Sequence, residues 1–393
     1  MNRLLTHGLV LAAAILVQPC VATAGIFPPA AGQPGSTAIS RSDPDFVAWA
    51  VAHQDYMVGL EVDAVFQTPD KALGFPGNSD GSGQGFVFDV VSLGRGGAIT
   101  LRFSPGIANG PGYDFAVFEN SITDSFLEFA RVEVSSDGQN FVAFPAFSLV
   151  SAPVSGFGGV NATDVEQLAG KYRRGFGTPF DLQQLAGSPG LDLANVRYVR
   201  LVDVVGDGSA PNDLTPQRLA DWLGLPLSEL PQALVDIVTA APDVVYDPYP
   251  TMGSAGFDLD AVGVLQPALL DAQLVVNPFG APDVDPESTA VIPVVLYSSR
   301  IAAGALDDFD PAAIDSSTVG LGALQAQPLS GPFLVDWNAD GLQDAAYTFA
   351  TQGTGIACED TTVELSGRLN DGLMFSGVAN INTPACPDAG CHP

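Results

Sequence analysis

Residues 96–145, GGAITLRFSPGIANGPGYDFAVFENSITDSFLEFARVEVSSDGQNFVAFP, constrain the fold more than any other part of the chain. Apolar and other residues alternate there over short runs. Ile99, Leu101 and Phe103 are expected on one face of a strand, and Ala130, Val132 and Val134 on one face of another. Turn formers separate the runs: Ser104-Pro105-Gly106, Asn109-Gly110-Pro111-Gly112 and Asp137-Gly138. An Asp-Gly pair between two such runs signals a hairpin, because both residues tolerate positive φ. The stretch predicts four antiparallel strands of a β-sandwich or jelly roll.

The N-terminal segment predicts export. Arg3 supplies a positive start, residues 9–17 an apolar stretch, and Ala22-Thr23-Ala24 a small-residue cleavage signal, so residues 1–24 read as a signal peptide and the mature chain is expected to begin at Gly25. The apolar run is too short for a transmembrane helix, and no later segment is long and apolar enough to span. Cys20 raises lipid attachment, for which Val17-Gln18-Pro19 is a poor context. With 44 acidic residues against 14 basic ones, nucleic acid is excluded as a partner, since phosphate contacts need Lys and Arg. The acidity serves solubility through self-repulsion, or calcium, which prefers clustered carboxylate oxygens.

Along the chain, residues 25–40 read as a flexible Pro/Gly/Ala lead-in. Residues 43–50 suggest one short helical turn packed by Phe46 and Trp49. Residues 76–85 form a polar loop, and 87–93 resume strand character. A strand is expected over 196–205. Thr215-Pro216 then reads as a helix N-cap followed by Pro at the first helical position. Leu219, Trp222 and Leu223 follow at helical spacing, and 228–238 offers a second helix, so 212–240 is a helical insertion within the first domain. Residues 256–265 close that domain, 41–266, with a buried strand. A second all-β domain is expected over 271–385, with strands near 273–276, 291–297, 318–321, 333–335, 345–349, 362–366 and 374–381. The tail is 386–393.

The sharpest motif is Asp336-Trp337-Asn338-Ala339-Asp340-Gly341-Leu342-Gln343-Asp344. Oxygens at loop positions one, three, five and nine converge on one point, Gly341 permits the tight turn, and the Leu342 carbonyl adds a ligand. Tyr347 stands where an EF-hand carries Glu, and the flanks read as strands. The motif is therefore a calcium turn between two strands, or an acidic Asx-rich turn without an ion. In the first domain, Asp258 and Asp260 are expected on one face of a strand, where Glu119 from a neighbouring strand completes a second calcium site; an ordinary exposed acidic face is the alternative.

The basic cluster Lys171, Arg173 and Arg174, with Tyr172 and Phe176, stands out in so acidic a chain. It reads as an anion- or ligand-binding loop, with Tyr249 lining the same region, or as a set of cations paired with local carboxylates such as Asp164 or Asp181. Three cysteines follow the leader: Cys358 and Cys386 are the expected disulfide, and Cys386-Cys391 with His392 is a weaker metal alternative. His53 and His392 are the only histidines after the leader, so no His-based triad suggests itself. No carboxylate pair is singled out for glycoside hydrolysis.

The phrases YDFAVFENSITDSFLEFARVEVSSDGQNF, LAGKYRRGFGTPFDL, VRYVRLVDVVGDG and DPYPTMGSAGFDLDAVGVL, in that order over residues 36–265, resemble a family of bacterial exported cell-surface proteins. The insertion at 212–240 departs from that family's pattern. More distantly, the block is similar to surface proteins encoded beside outer-membrane corrinoid receptors. Residues 273–381 resemble a widespread extracellular β-domain through IPVVLYSS at 292–299, FDPAAIDSSTVGLG at 309–322, the calcium turn, and TQGTGIACEDT at 351–361. The first resemblance implies a surface protein, often with a C-terminal sorting tail, which is not evident here. The second implies a stabilising or attachment module, and neither carries a catalytic residue.

The expectation is an all-β protein of two β-sandwich domains with a short helical insertion in the first. It is expected to be exported, to bind Ca2+, to act as a monomer and not as an enzyme, and to recognise a surface glycan or another small ligand. Corrinoid capture for an outer-membrane receptor and a carboxylate-dependent hydrolase are the alternatives.

Overall fold

The computed structural model describes residues 25–77 and 89–384. The predicted leader, most of the polar loop at 76–85, the start of the 87–93 run, and Cys386, Cys391 and His392 lie outside them. Cys358 is half-buried, and its expected bond to Cys386 therefore also falls outside the described residues.

The chain is all-β with a small helical element. Its first half builds two facing antiparallel sheets from seven main strands: β1 (Ala52–Met57), β2 (Ala98–Ile107), β3 (Phe115–Glu119), β4 (Ala130–Ser135), β5 (Phe176–Phe180), β6 (Val196–Asp203) and β7 (Asp258–Val264). One sheet runs β1-β2-β6-β4, extended by Val142–Ala143. The other runs from Ile39–Ser40 through β5-β3-β7 to Ala48–Trp49, with Val91–Ser92 also paired to β7. The alternation seen in the sequence is what closes the sandwich. Ile99, Leu101 and Phe103 from β2, Val132 and Val134 from β4, and Phe115 and Val117 from β3 are buried together in one core. Leu201 lies opposite Ile99 on one side and Val132 on the other, so three strands stack apolar side chains in register. The Asp137-Gly138 turn joins β4 to Val142–Ala143, with Gly138 at φ 73°.

The insertion forms between β6 and β7 as α1 (Pro216–Trp222) and α2 (Gln232–Thr239). Thr215 caps α1 by accepting the Arg218 N–H at 3.2 Å, as its hydroxyl before Pro predicts. The second half builds another pair of sheets from β8 (Gln273–Val276), β9 (Val291–Tyr297), β10 (Ile314–Leu321), β11 (Ser330–Val335), β12 (Asp344–Ala350), β13 (Thr362–Leu369) and β14 (Met374–Asn380). One sheet is β8-β9-β12-β11. The other is Leu270–Asp271 with β14-β13-β10. Their shared core is separate from the first and includes Leu274, Val294, Tyr347, Leu365 and Phe375. Among the described residues, no helix is long and apolar enough to cross a membrane.

Two expectations fail near the start. Residues 25–40 are packed: Phe27 and Ala31 are buried, the Phe27 N–H bonds the Thr163 carbonyl at 3.1 Å, and Ile39–Ser40 pairs with β5. Phe27 sits edge-on to Trp222 of α1 at 5.8 Å, so a segment whose composition suggests a linker holds the insertion down. Residues 43–50 give no helix. Ala48–Trp49 is instead a short edge strand against Gly263 and Val264. Phe46 and Trp49 do pack on the sheet, with ring centroids 5.5 and 5.7 Å from Phe118. A Cβ on Gly263 would lie 2.6 Å from the Phe46 ring, so that glycine makes room for both aromatics.

A buried ion pair fastens the halves together. Arg197 of β6 donates to both oxygens of Asp307, at 2.6 and 3.0 Å, and to the Leu306 carbonyl at 3.1 Å. Asp307 also accepts the Asp271 N–H at 2.9 Å, and Arg102 of β2 donates to the Ala305 and Leu306 carbonyls. Removing one member of such a pair strands the other charge in low dielectric and costs about 3–5 kcal/mol. Asp307→Ala is therefore expected to lower the melting temperature and to separate the calorimetric transitions of the two halves. A single unshifted transition would refute this coupling.

Candidate functional site

The acidic turn of the second half lies between β11 and β12, as the sequence reading placed it. Its side chains are engaged by the loop's own backbone. Asp336 accepts the N–H groups of Asp340 (3.1 Å) and Gly341 (3.0 Å), and Asp340 accepts that of Leu342 (2.8 Å). Asn338 accepts the Asp340 N–H through its carbonyl and donates through its amide to Asp340 Oδ2. Ala339 at φ 61° and Gly341 at φ 90° give the loop its sharp curl. Asp344 behaves differently. It is fully buried, and its two oxygens accept the Ser298 N–H (2.9 Å) and the Trp337 N–H (2.8 Å). It ties the loop to the end of β9. Asp336, Asn338, Asp340 and the Leu342 carbonyl remain a donor set suited to a hard cation, with two carboxylates instead of three. Among the described residues, no three His, Cys, Asp or Glu side chains are grouped to hold a metal.

The basic cluster is not an open ligand loop. Lys171 and Tyr172 are each about 1% exposed. Lys171 forms a buried ion pair with Glu166, and its ammonium lies 5.5 Å from the Tyr172 ring centroid. Burial pulls the Lys171 pKa down, and Glu166 partly restores it. The Tyr172 hydroxyl bonds the Thr37 hydroxyl at 2.8 Å, anchoring the lead-in. Arg173 pairs with Asp124 at 3.0 Å and lies 4.6 Å over Phe176, instead of meeting Asp164 or Asp181. The Arg174 N–H bonds the Ser121 carbonyl at 2.8 Å. Tyr249 is engaged by Arg95, whose guanidinium lies 5.5 Å over its ring and itself pairs with Glu61 at 2.8 Å. Lys171, Arg173 and Arg95 are thus each paired with a carboxylate.

A cleft of about 240 Å³ opens where β3 ends and β7 begins. Glu119 is the last residue of β3, Asp258 the first of β7, and Glu128 stands just before β4; all three are buried and line the cleft. Around its mouth stand Phe157, Met252 and Ile122, which are 95%, 78% and 69% exposed. Buried acid beneath exposed apolar side chains is an arrangement that neither solubility nor core packing requires. The site brings together Glu119 and Asp258, as the sequence reading expected, but not Asp260. Leu259 lies opposite Glu119 while Ala261 lies opposite Phe118, so Asp260 is the extra residue of a β-bulge and the two-residue alternation breaks there. Asp260 instead accepts the Gly77 N–H at 2.8 Å. Glu128 was missed. Its signal was a lone carboxylate in the apolar run Phe126, Leu127, Phe129 and Ala130 ahead of a strand.

The electrostatics follow from burial. Glu119 Oε2 accepts the Ser121 N–H at 2.7 Å, and the Ser92 hydroxyl donates to Asp258. These bonds do not offset desolvation. Burial, reinforced by the Asp258 charge, pushes both Glu119 and Glu128 well above the usual carboxylate range. Burial pushes Asp258 up to about 7, against the lowering pull of Ser92 and Ser254. Asp260 is likewise raised to about 7 and Asp203 to about 6. No protein-family model matches the chain, and no curated protein matches it either. The functional reading therefore rests on this geometry.

A carboxyl whose folded pKa is raised binds more protons folded than unfolded. Its stabilising contribution is present below its unfolded value near 4 and is lost as pH rises through its folded value. For Asp258, Asp260 and Asp203 that loss falls between about pH 4 and 7. In metal-free buffer the melting temperature of the first half is expected to be higher at pH 5 than at pH 8, and Asp258→Asn should flatten part of that slope. A melting temperature rising from pH 5 to pH 8 would contradict it.

Proposed function

We propose that the protein is an exported, non-catalytic binding protein whose ligand site is the acidic cleft of the first half, with the second half a calcium-stabilised accessory module. The observation that carries this is the cleft itself: Glu119, Glu128 and Asp258 buried beneath the exposed Phe157, Met252 and Ile122. Ligand sites combine an apolar wall with a few convergent polar groups, and exposed apolar side chains rimming a polar floor mark such a surface. A hydrolase is the weaker reading. Carboxylate catalysis needs an ionised base or nucleophile beside its acid, and here burial pushes all three cleft carboxyls upward, so none is held low for that role. The volume also bears on the ligand. A cleft of about 240 Å³ falls below the roughly 300–1,000 Å³ that encloses a whole drug-sized molecule. That favours the end of a glycan or a small solute over an intact corrinoid.

Screening the full chain against a glycan array and a small-solute library tests the site. Hits should weaken at least about tenfold in Phe157→Ala, a substitution at an exposed side chain with little effect on folding. Hits retained at full affinity in Phe157→Ala and in Glu128→Gln would place the site elsewhere.

For the second half, the proposed calcium ligands are Asp336, Asn338, Asp340 and the Leu342 carbonyl, with Asp344 as their buried support. At calcium about a hundredfold above its dissociation constant, linkage stabilises by roughly 2.7 kcal/mol. Asp340→Ala should abolish the calcium-dependent rise in melting temperature while leaving the chelator-treated value nearly unchanged. Asp344→Ala should lower the melting temperature in chelator as well, because it strips the acceptor from the Ser298 and Trp337 N–H groups. Equal melting temperatures with and without calcium in the unsubstituted protein would end the calcium proposal.

A further inference from the structure

We infer that the acidic cleft takes its ligand by an ammonium group carried on a small apolar or sugar body, an inference that rests on the cleft being the ligand site. Glu128 is 4% exposed, lines the cleft, and its Oε1 atom has no hydrogen-bond partner. Buried acceptors are ordinarily satisfied, so this oxygen awaits a donor. The chain does not supply one as a cation, because no Lys, Arg or His lines the cleft. Thr251 on the cleft wall hydrogen-bonds the Glu128 carboxyl, which leaves Oε1 as the oxygen open to a donor carried by the ligand. At the mouth, Phe157 stacks on Phe126 with ring centroids 6.3 Å apart, and Phe157 is almost wholly exposed. An exposed aromatic face beside buried carboxyls is the combination that holds ammonium groups, through the ring quadrupole on one side and charge-assisted hydrogen bonds on the other.

A bare divalent ion fits less well. Calcium takes six to eight oxygen ligands. Ile122, Phe157 and Met252 offer such an ion nothing, whereas they cover the carbon body of an amine. At about 30 Å³ per water, the cleft has room for ~8 waters, so it accommodates a small arylalkylamine or one terminal amino sugar.

The two sources are separated by matched pairs of probes measured by calorimetry on the full chain at pH 8: phenethylamine against 2-phenylethanol, and a glucosamine tetramer against its N-acetylated counterpart. The expected result is that the amine of at least one pair binds at least about tenfold tighter than its neutral partner, and that Glu128→Gln removes the preference. The pair showing the preference identifies the source as a free amine or an amino-sugar end. Phe157→Ala serves as a second variant should Glu128→Gln fail to fold, and it should weaken the amine at least about tenfold. Equal binding of amine and neutral partner, both lost in Phe157→Ala, overturns the ammonium inference and leaves the cleft as the ligand site. Calcium displacing the amine at one-to-one stoichiometry overturns it in favour of a metal site. No binding by any probe also overturns it. Library hits unaffected by either variant remove the cleft as a ligand site altogether.

Discussion

Buried aspartates accepting backbone N–H groups hold this structure together where its sheets end. Asp114 takes the Gly110 and Leu182 amides at 2.8 and 2.7 Å, Asp203 those of Gly96 and Phe257 at 2.9 Å each, Asp247 that of Phe129 at 3.0 Å, and Asp344 those of Ser298 and Trp337. The need arises from composition. With 43 glycines and 31 prolines the chain is rich in short strands and irregular connections, and every buried N–H outside a ladder must find an acceptor. A short carboxylate side chain accepts two of them at once. With only 14 basic residues in the whole sequence, these carboxyls are not generally neutralised by salt bridges. Burial instead raises Asp114 and Asp203 to about 6 and pushes Asp247 well above the usual carboxylate range.

The cleft depends on that device. Asp203 holds the N–H of Phe257, one residue before Asp258. Asp247 holds the N–H of Phe129, one residue after Glu128. Two of the three cleft carboxyls are thus positioned by a neighbouring backbone group that another buried carboxyl fixes, which places acid behind acid. The Asp247 charge adds to the upward push on Glu128, and the Asp203 charge to that on Asp258. Preorganisation of this kind carries a cost in desolvation, and a cationic group entering the cleft would relieve it.

What was legible in the sequence was whatever depends on local pattern. Alternation and turn residues gave β2, β3, β4 and most strands of the second half, and Thr215-Pro216 gave the start of α1. What failed depends on partners far away in the chain. Phe46 and Trp49, spaced three apart, imitate a helical face, but Ala48–Trp49 is extended because β7 offers it an edge more than 200 residues later. The lead-in has linker composition, yet Phe27 and Ile39 find a buried cluster and a strand to join. The cluster at 171–174 looked like a binding loop because its charge is rare, and sequence does not show that Lys171 points inward at Glu166. The pairing of Asp258 with Asp260 failed at a bulge, which shifts a face by one residue without a consistent signature.

The placement of the second half supports the division of labour proposed here. The strand β7 begins with Asp258 at the cleft and ends with Val264, and the chain enters the second pair of sheets at Leu270. Seven residues of strand span about 20 Å, at roughly 3.3 Å each. The junction lies at the far end: Val196, the first residue of β6 and the neighbour of Arg197, pairs with Ile107 at the end of β2, and the Ala268 N–H bonds the Gly106 carbonyl at 2.8 Å. The ion pair of Arg197 with Asp307 therefore clamps the end of the sandwich opposite the cleft. A ligand at Phe157 approaches without meeting the second half. A calcium-dependent change in that half would reach the cleft only through the stiffness of the sheets and not through contact. Loss of the Arg197–Asp307 pair should accordingly alter how the halves melt while leaving the affinity of the cleft unchanged.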